Sequence, residues 1–158
     1  MGLIETKIRQ QNVDTITSAL LYGWQRTNNC NVSNGRIWVA WKPSSYHLTI
    51  LKSTDQFIHC EATQLITCKH FQITFIYGHN HESQRQPLWY DLHQLSLSVT
   101  GAWCIMGDFN AILYKNEHIG GNVVTDHDIQ ELTNFQLNCE VQEMPSSSAF
   151  FTWSNKTI

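Results

Sequence analysis

Apolar positions along the chain alternate between two periods. Near the N-terminus Val13, Ile16 and Leu20 recur at i, i+3 and i+7, which predicts one face of a helix over residues 8–21. Residues 22–27 can form a strand leading into the polar loop 28–34. Residues 36–41 are rich in Ile, Val and Trp, and Pro43-Ser44-Ser45 closes that run as a turn. Residues 47–51 and 57–62 bracket a turn at Ser53-Thr54-Asp55, and 71–77 alternates at Phe71, Ile73 and Phe75. These four runs are expected to be antiparallel neighbours in one sheet.

The clearest helical stripe follows, with Leu88, Leu92, Leu95 and Val99 at i, i+4, i+7 and i+11. Pro87 suits the first turn of that helix, where its missing N–H is harmless. Residues 102–106 are continuously apolar, as in a strand buried on both faces; Gly107 ends the run and a loop starts at Asp108. Thr125-x-x-Asp128 has the spacing of a capping box before a helix carrying Ile129, Leu132 and Phe135. Val141 and residues 150–153 are further strand candidates. Strands with interleaved helices imply α+β or a layered α/β sandwich.

Composition narrows the classes. A length of 158 residues suits one domain, which can bury roughly 70% of its unfolded surface. Six Trp, seven Phe and five Tyr at a net charge of −3 exclude a disordered chain and a broad cationic face. No run reaches the roughly 20 apolar residues of a membrane span, and Glu5 interrupts what would be the core of a secretory leader. The expected setting is therefore intracellular, nuclear or cytoplasmic, with no membrane partner. The cysteines at 30, 60, 68, 104 and 139 are odd in number, widely spaced and without a C-x-x-C pair. They read as free thiols, with no disulfide-linked partner. His79-x-His81 lacks a third ligand at a zinc spacing, and the sequons at Asn31 and Asn155 are short patterns with no other sign of secretion.

Three segments carry chemistry: Gly2-Leu3-Ile4-Glu5-Thr6-Lys7, Ile76-Tyr77-Gly78-His79-Asn80 and Met106-Gly107-Asp108-Phe109-Asn110. Each sets polar groups at the end of an apolar stretch, where strand ends can converge on one rim. Glu5 is a hard oxygen donor suited to Mg²⁺. Asp108 can take a proton from water, and Asn110 can hold that water. Tyr77 and Asn80 can hydrogen-bond a phosphate. Each also has a plainer account: a solvated acid at a helix start for Glu5, turn chemistry for Asp108 and Asn110, a strand aromatic for Tyr77.

Together with Phe151-Thr152-Trp153-Ser154-Asn155, these segments resemble the endonuclease/exonuclease/phosphatase superfamily, which includes pancreatic deoxyribonuclease and the apurinic/apyrimidinic endonucleases. The nearest flavour is the endonuclease domain of plant non-LTR (LINE-type) retrotransposons. Gly-Asp-Phe-Asn is the most specific piece and Glu-Thr-Lys the second. The resemblance implies a four-layer α/β/β/α sandwich, Mg²⁺ with Mn²⁺ as a substitute, and DNA as ancestral substrate. It assigns Glu5 to the metal, Lys7 to the charge near the phosphate, Tyr77 and Asn80 to the scissile phosphate, Asp108 to the attacking water and Asn110 to holding phosphate and base. Trp153 either lines the nucleic-acid groove or packs beneath it.

The departures are as specific as the matches. The family begins with a strand bearing Asn in an Asn-x-Arg-Gly-like pattern, and ends with an Asp strand and a Ser-Asp-His motif. Glu5 is already the fifth residue, no histidine lies in a Ser-Asp-His context, and Asp126-His127 falls within the capping segment. The expectation is an incomplete sandwich, truncated at both ends, with uncovered sheet edges and without useful nuclease activity. Two other readings stand beside it: a non-catalytic remnant or binding module on the same scaffold, and a phosphoesterase acting on inositol phosphates.

Overall fold

A computed structural model describes residues 1–6, 10–28, 36–117 and 123–145. Lys7, Cys30, Asn31, Trp153, Asn155 and the strand expected at 150–153 lie outside the described residues. The chain divides into two compact units, Met1–Asn110 and Ala111–Ile158.

The first unit contains two sheets. Strands β1 (Gly2–Leu3), β2 (Gln25–Asn28) and β3 (Trp38–Trp41) form an antiparallel sheet in the order β1-β3-β2. Strands β4 (Tyr46–Ser53), β5 (Phe57–Gln64), β6 (Lys69–Tyr77) and β7 (Trp103–Asp108) form the second, in that order, with β7 parallel to β6. The sheets share a core in which Ile37 and Val39 of the first meet Ile58, Cys60, Phe75 and Tyr77 of the second. These positions alternate along their strands, so one face of β5 and β6 is apolar for this contact.

The opposite face of β5 and β6 carries Phe57, His59, Thr74 and Ile76, all buried. Helix α2 (Glu82–Ser96) is tied to this second sheet by Lys52 Nζ–Asp91 Oδ1 at 2.8 Å and by Gln56 Nε2 donating to the Gln84 carbonyl at 3.0 Å. It buries Leu88, Leu92 and Leu95. Helix α1 (Val13–Leu20) is joined to β2 of the first sheet through Arg26 Nη2–Asp14 Oδ1 at 2.7 Å. Two packed sheets with α1 joined to the first and α2 to the second make a mixed α/β architecture, in keeping with the sandwich that the resemblance implies. Among the described residues no helix is long and apolar enough to cross a membrane, and Cys60, Cys68, Cys104 and Cys139 are free thiols. Burial pushes the Cys60 thiol up to about 12, which keeps it protonated.

The second unit holds a 3-10 turn at Lys115–Glu117 and helix α3 (Asp126–Cys139). The expected capping box is present, with Thr125 N donating to Asp128 Oδ2 at 2.7 Å. Ile129 and Leu132 are half-buried and Phe135 is buried. Lys115 and Asp126 pair at 2.6 Å, and Tyr114 Oη donates to Glu143 at 3.0 Å. That bond, with the carboxylate's charge, raises the Tyr114 pKa.

Several expectations are corrected. The four strand runs do not share a sheet: β3 joins β1 and β2, and the Pro43–Ser45 turn carries the chain to the other layer. Alternation marks a face for burial but not the sheet it belongs to. Strand β7 is not buried on both faces: among the described residues it pairs with β6 alone, its Met106, Gly107 and Asp108 are exposed, and it runs through Asp108. Pro87 is the sixth residue of α2, beyond the first turn, where its missing N–H leaves only the exposed Ser83 carbonyl. The first helix begins at Val13; among its described side chains Thr17 is the buried one, and Leu20 is exposed at its end. Val141 is not in a strand.

Two measurements test this packing. Ile58→Ala removes a fully buried side chain between the sheets and is expected to cost about 2–5 kcal/mol in chemical unfolding. His59 is 2% exposed, with Nδ1 2.8 Å from Thr74 Oγ1, and that oxygen also accepts Trp103 Nε1–H at 2.8 Å. Burial holds the His59 pKa below 6.5, against a Gln72 hydrogen bond that raises it and with the Lys52 charge that lowers it further. The unfolded chain therefore takes up a proton near pH 6.5 that the folded chain refuses. Stability should be fully present above that pH and decline as pH falls toward the folded pKa. His59→Gln should flatten the decline, and equal slopes for both proteins would refute it.

Candidate functional site

The site is built where β6 and β7 end together. Their parallel register sets Ile76 beside Gly107 and Tyr77 beside Asp108. Gly107 has φ +141°, and a Cβ there would collide with the Ile76 carbonyl, so this approach of two backbones requires glycine. The Gly78 N–H then donates to the Asp108 carbonyl at 2.8 Å. A Cβ on Gly78 would in turn strike the Phe109 carbonyl.

Beyond Asp108 the chain turns back on itself. Asp108 Oδ1 accepts the Asn110 N–H at 2.9 Å, and Asn110 takes the left-handed conformation at φ 49°, which Asn tolerates better than most residues. Asn110 Nδ2 donates to the Gly78 carbonyl at 2.7 Å, joining the two strand-end loops. Phe109 stacks on Trp89 of α2, with planes 5° apart and centroids 6.1 Å apart. The Asp108 carboxylate is exposed on this rim.

The other sheet reaches the same rim through β1. Glu5 follows β1 with φ 55°, and the Thr6 N–H donates to the Arg36 carbonyl at 3.2 Å just before β3. The Arg36 guanidinium lies 5.6 Å from the centroid of the Tyr77 ring, a cation–π contact. An exposed Glu5 carboxylate, Arg36, Tyr77 and Asp108 are thus linked in sequence across the strand ends. Tyr77 itself is buried within the inter-sheet core.

Asn80 is exposed on the turn after β6. Behind it, Gln56 is 2% exposed and accepts the His79 N–H at Oε1, 2.9 Å, while its own carbonyl accepts the Tyr77 N–H. His79 Nε2 pairs with Asp55 Oδ2 at 2.8 Å. Arg85 donates from Nη1 to the His79 and Asn80 carbonyls, both at 2.9 Å.

Of the six residues singled out in the sequence, the structure sets Glu5, Tyr77, Asn80, Asp108 and Asn110 on or beneath one rim of the first unit, and Lys7 lies outside the described residues. Sequence reasoning missed Arg36, Gln56 and Arg85. Arg85 had a signal: extended one turn back, the Leu88, Leu92, Leu95 stripe lands on it. Asp126 and His127 occupy the first turn of α3, in the second unit.

Among the described residues no group of three His, Cys, Asp or Glu side chains could hold a metal ion. The rim's exposed carboxylates, Glu5 and Asp108, are hard oxygen donors of the kind Mg²⁺ takes one or two of while keeping its waters.

No protein-family model matches the sequence, and no curated protein matches it. Among solved structures the chain is similar to the human Nocturnin catalytic domain, determined with bound sulfate anion, at 19% identity and a TM-score of 0.45. The match covers 70% of this chain and 50% of that one, so the chain spans about half that domain's length.

Gly107→Ala should act on this rim. The Cβ must displace the Ile76 carbonyl, and the backbone must leave φ +141°. A loss of about 2 kcal/mol or more in denaturant unfolding is expected, exceeding that of Gly101→Ala, where an added Cβ meets open space. Equal losses would show that the close approach is not structural.

Proposed function

We propose that the rim formed by Glu5, Tyr77, Asn80, Asp108 and Asn110 is that of a Mg²⁺-dependent phosphodiester hydrolase of the endonuclease type, with DNA as the ancestral substrate. The adjacency of Tyr77 and Asp108 at the ends of two parallel strands carries the reading. It brings a phenol and a carboxylate from segments 31 residues apart to one place. The Glu5-Thr6-Lys7 and Thr152-Trp153-Ser154-Asn155 segments support an origin in a LINE-type retroelement.

Glu5 would hold Mg²⁺ (or Mn²⁺). When bound, the ion neutralises charge growing on the phosphoryl oxygens. The chain's own groups supply the rest. Asp108 accepts a proton from the attacking water. Asn110 holds the Asp108 loop against Gly78 and so keeps that carboxylate still. In this reading Asn80 would donate its amide N–H to a phosphate oxygen, Tyr77 would supply a hydroxyl to the same group from its place at the edge of the inter-sheet core, and Lys7 would add positive charge.

Within these 158 residues no histidine stands in a Ser-Asp-His sequence. Removing one member of a cooperative catalytic set costs orders of magnitude in rate. We therefore propose that the 158-residue polypeptide by itself does not turn over DNA, and that it is a nuclease-derived scaffold.

Two assays separate these statements. In a supercoiled-plasmid assay with Mg²⁺ or Mn²⁺, no nicking is expected, and nicking that vanishes in Asp108→Ala would overturn the claim of inactivity. In thermal unfolding, Mg²⁺ at ten times its dissociation constant should stabilise the folded chain by about 1.4 kcal/mol. Glu5→Gln should abolish that gain. A gain unchanged in Glu5→Gln would remove Glu5 from the metal site.

A further inference from the structure

We infer that Arg85, in the first turn and a half of α2, is a positioning residue for the turn Gly78-His79-Asn80, acting through the backbone to aim Asn80 at its ligand; this rests on the phosphodiester reading of the rim. Arg85 is a cation only 7% exposed, an unusual place for a charge without a structural task. Its Nη1 donates to two successive carbonyls, those of His79 and Asn80, each at 2.9 Å. Its stem runs beneath Gly78, with Cδ 3.5 Å from the point a Cβ there would occupy.

Two carbonyls drawn to one guanidinium fix the planes of two consecutive peptides. Charge-assisted hydrogen bonds are roughly twice as strong as neutral ones, so this hold is stiffer than an ordinary turn bond. The other sides of the turn are held from different elements. Gln56 accepts the His79 N–H, while Asp108 and Asn110 take the Gly78 N–H and carbonyl. With its carbonyl turned down onto Arg85, Asn80 keeps its side chain exposed at the rim. Arg85 lies on the buried stripe of α2 with Leu88, Leu92 and Leu95, so the helix that covers the sheet also sets the turn. Lysine is a poor substitute, because its ammonium is a point charge on a flexible stem without the planar fork.

The test compares wild type with Arg85→Met, Arg85→Lys, Asn80→Ala and the Arg85→Met/Asn80→Ala double variant. Amide hydrogen exchange should rise about tenfold at residues 79–81 in Arg85→Met while β5 and β6 keep their protection, with Arg85→Lys between. Affinity for a short DNA duplex in Mg²⁺ should fall about three- to tenfold in each single variant. The double variant should bind no more weakly than the weaker single, because both changes remove the same contact. Unchanged exchange at the turn, a rise spread evenly over sheet and helix, or additive losses of affinity would each overturn the inference. If wild type binds no duplex while exchange behaves as expected, the phosphodiester reading fails, and Arg85 is reduced to a structural brace.

Discussion

Where β7 lies against β6, the Gly107 backbone presses so close to the Ile76 carbonyl that no side chain fits between them. Most of the rim follows from that contact. The parallel register it permits places Tyr77 beside Asp108, and the next residues stitch together through the Gly78–Asp108 and Asn110–Gly78 hydrogen bonds. An ordinary residue at 107 would push the strands apart and separate these groups before any question of chemistry arose. Its φ of +141° adds a second reason, since L side chains rarely adopt that conformation.

Strands β5 and β6 serve two cores at once. One face gives Ile58, Cys60, Phe75 and Tyr77 to the inter-sheet layer. The other gives Phe57, His59, Thr74 and Ile76 to the side covered by α2. The second face is less purely apolar, and it satisfies its polar groups internally: Trp103 donates to Thr74, which meets His59. Buried polar groups are tolerable only when partnered in this way. Helix α2 closes this layer with its leucines and reaches the rim with Arg85 and Trp89. Stability and site geometry therefore share the same helix.

The chemistry of the rim is that of hard oxygen and amide groups held on short, heavily pinned turns. Glu5 and Asp108 offer carboxylates, Asn80 and Asn110 offer amides, and Arg36 brings a cation against Tyr77.

Strand and helix positions were largely legible in the sequence, because a period of two or 3.6 residues records directly which side of an element is buried. The Leu88–Leu92–Leu95 stripe lies on α2, which ends at Ser96, short of the fourth expected position Val99; the Thr125–Asp128 cap and the strand expected at 71–77 appear where the pattern places them. The polar residues at strand ends were legible too, as short segments with a chemical logic of their own. Tertiary structure alone decided which strands share a sheet, since β3 and β4 look alike in pattern yet lie in different layers. It alone left the end of β7 exposed among the described residues, revealed Gln56 behind the turn, and showed which carbonyls Arg85 holds. Local sequence encodes the burial of a face; the identity of the partner that buries it, or of the carbonyl a distant side chain will hold, depends on contacts between segments that no local pattern records.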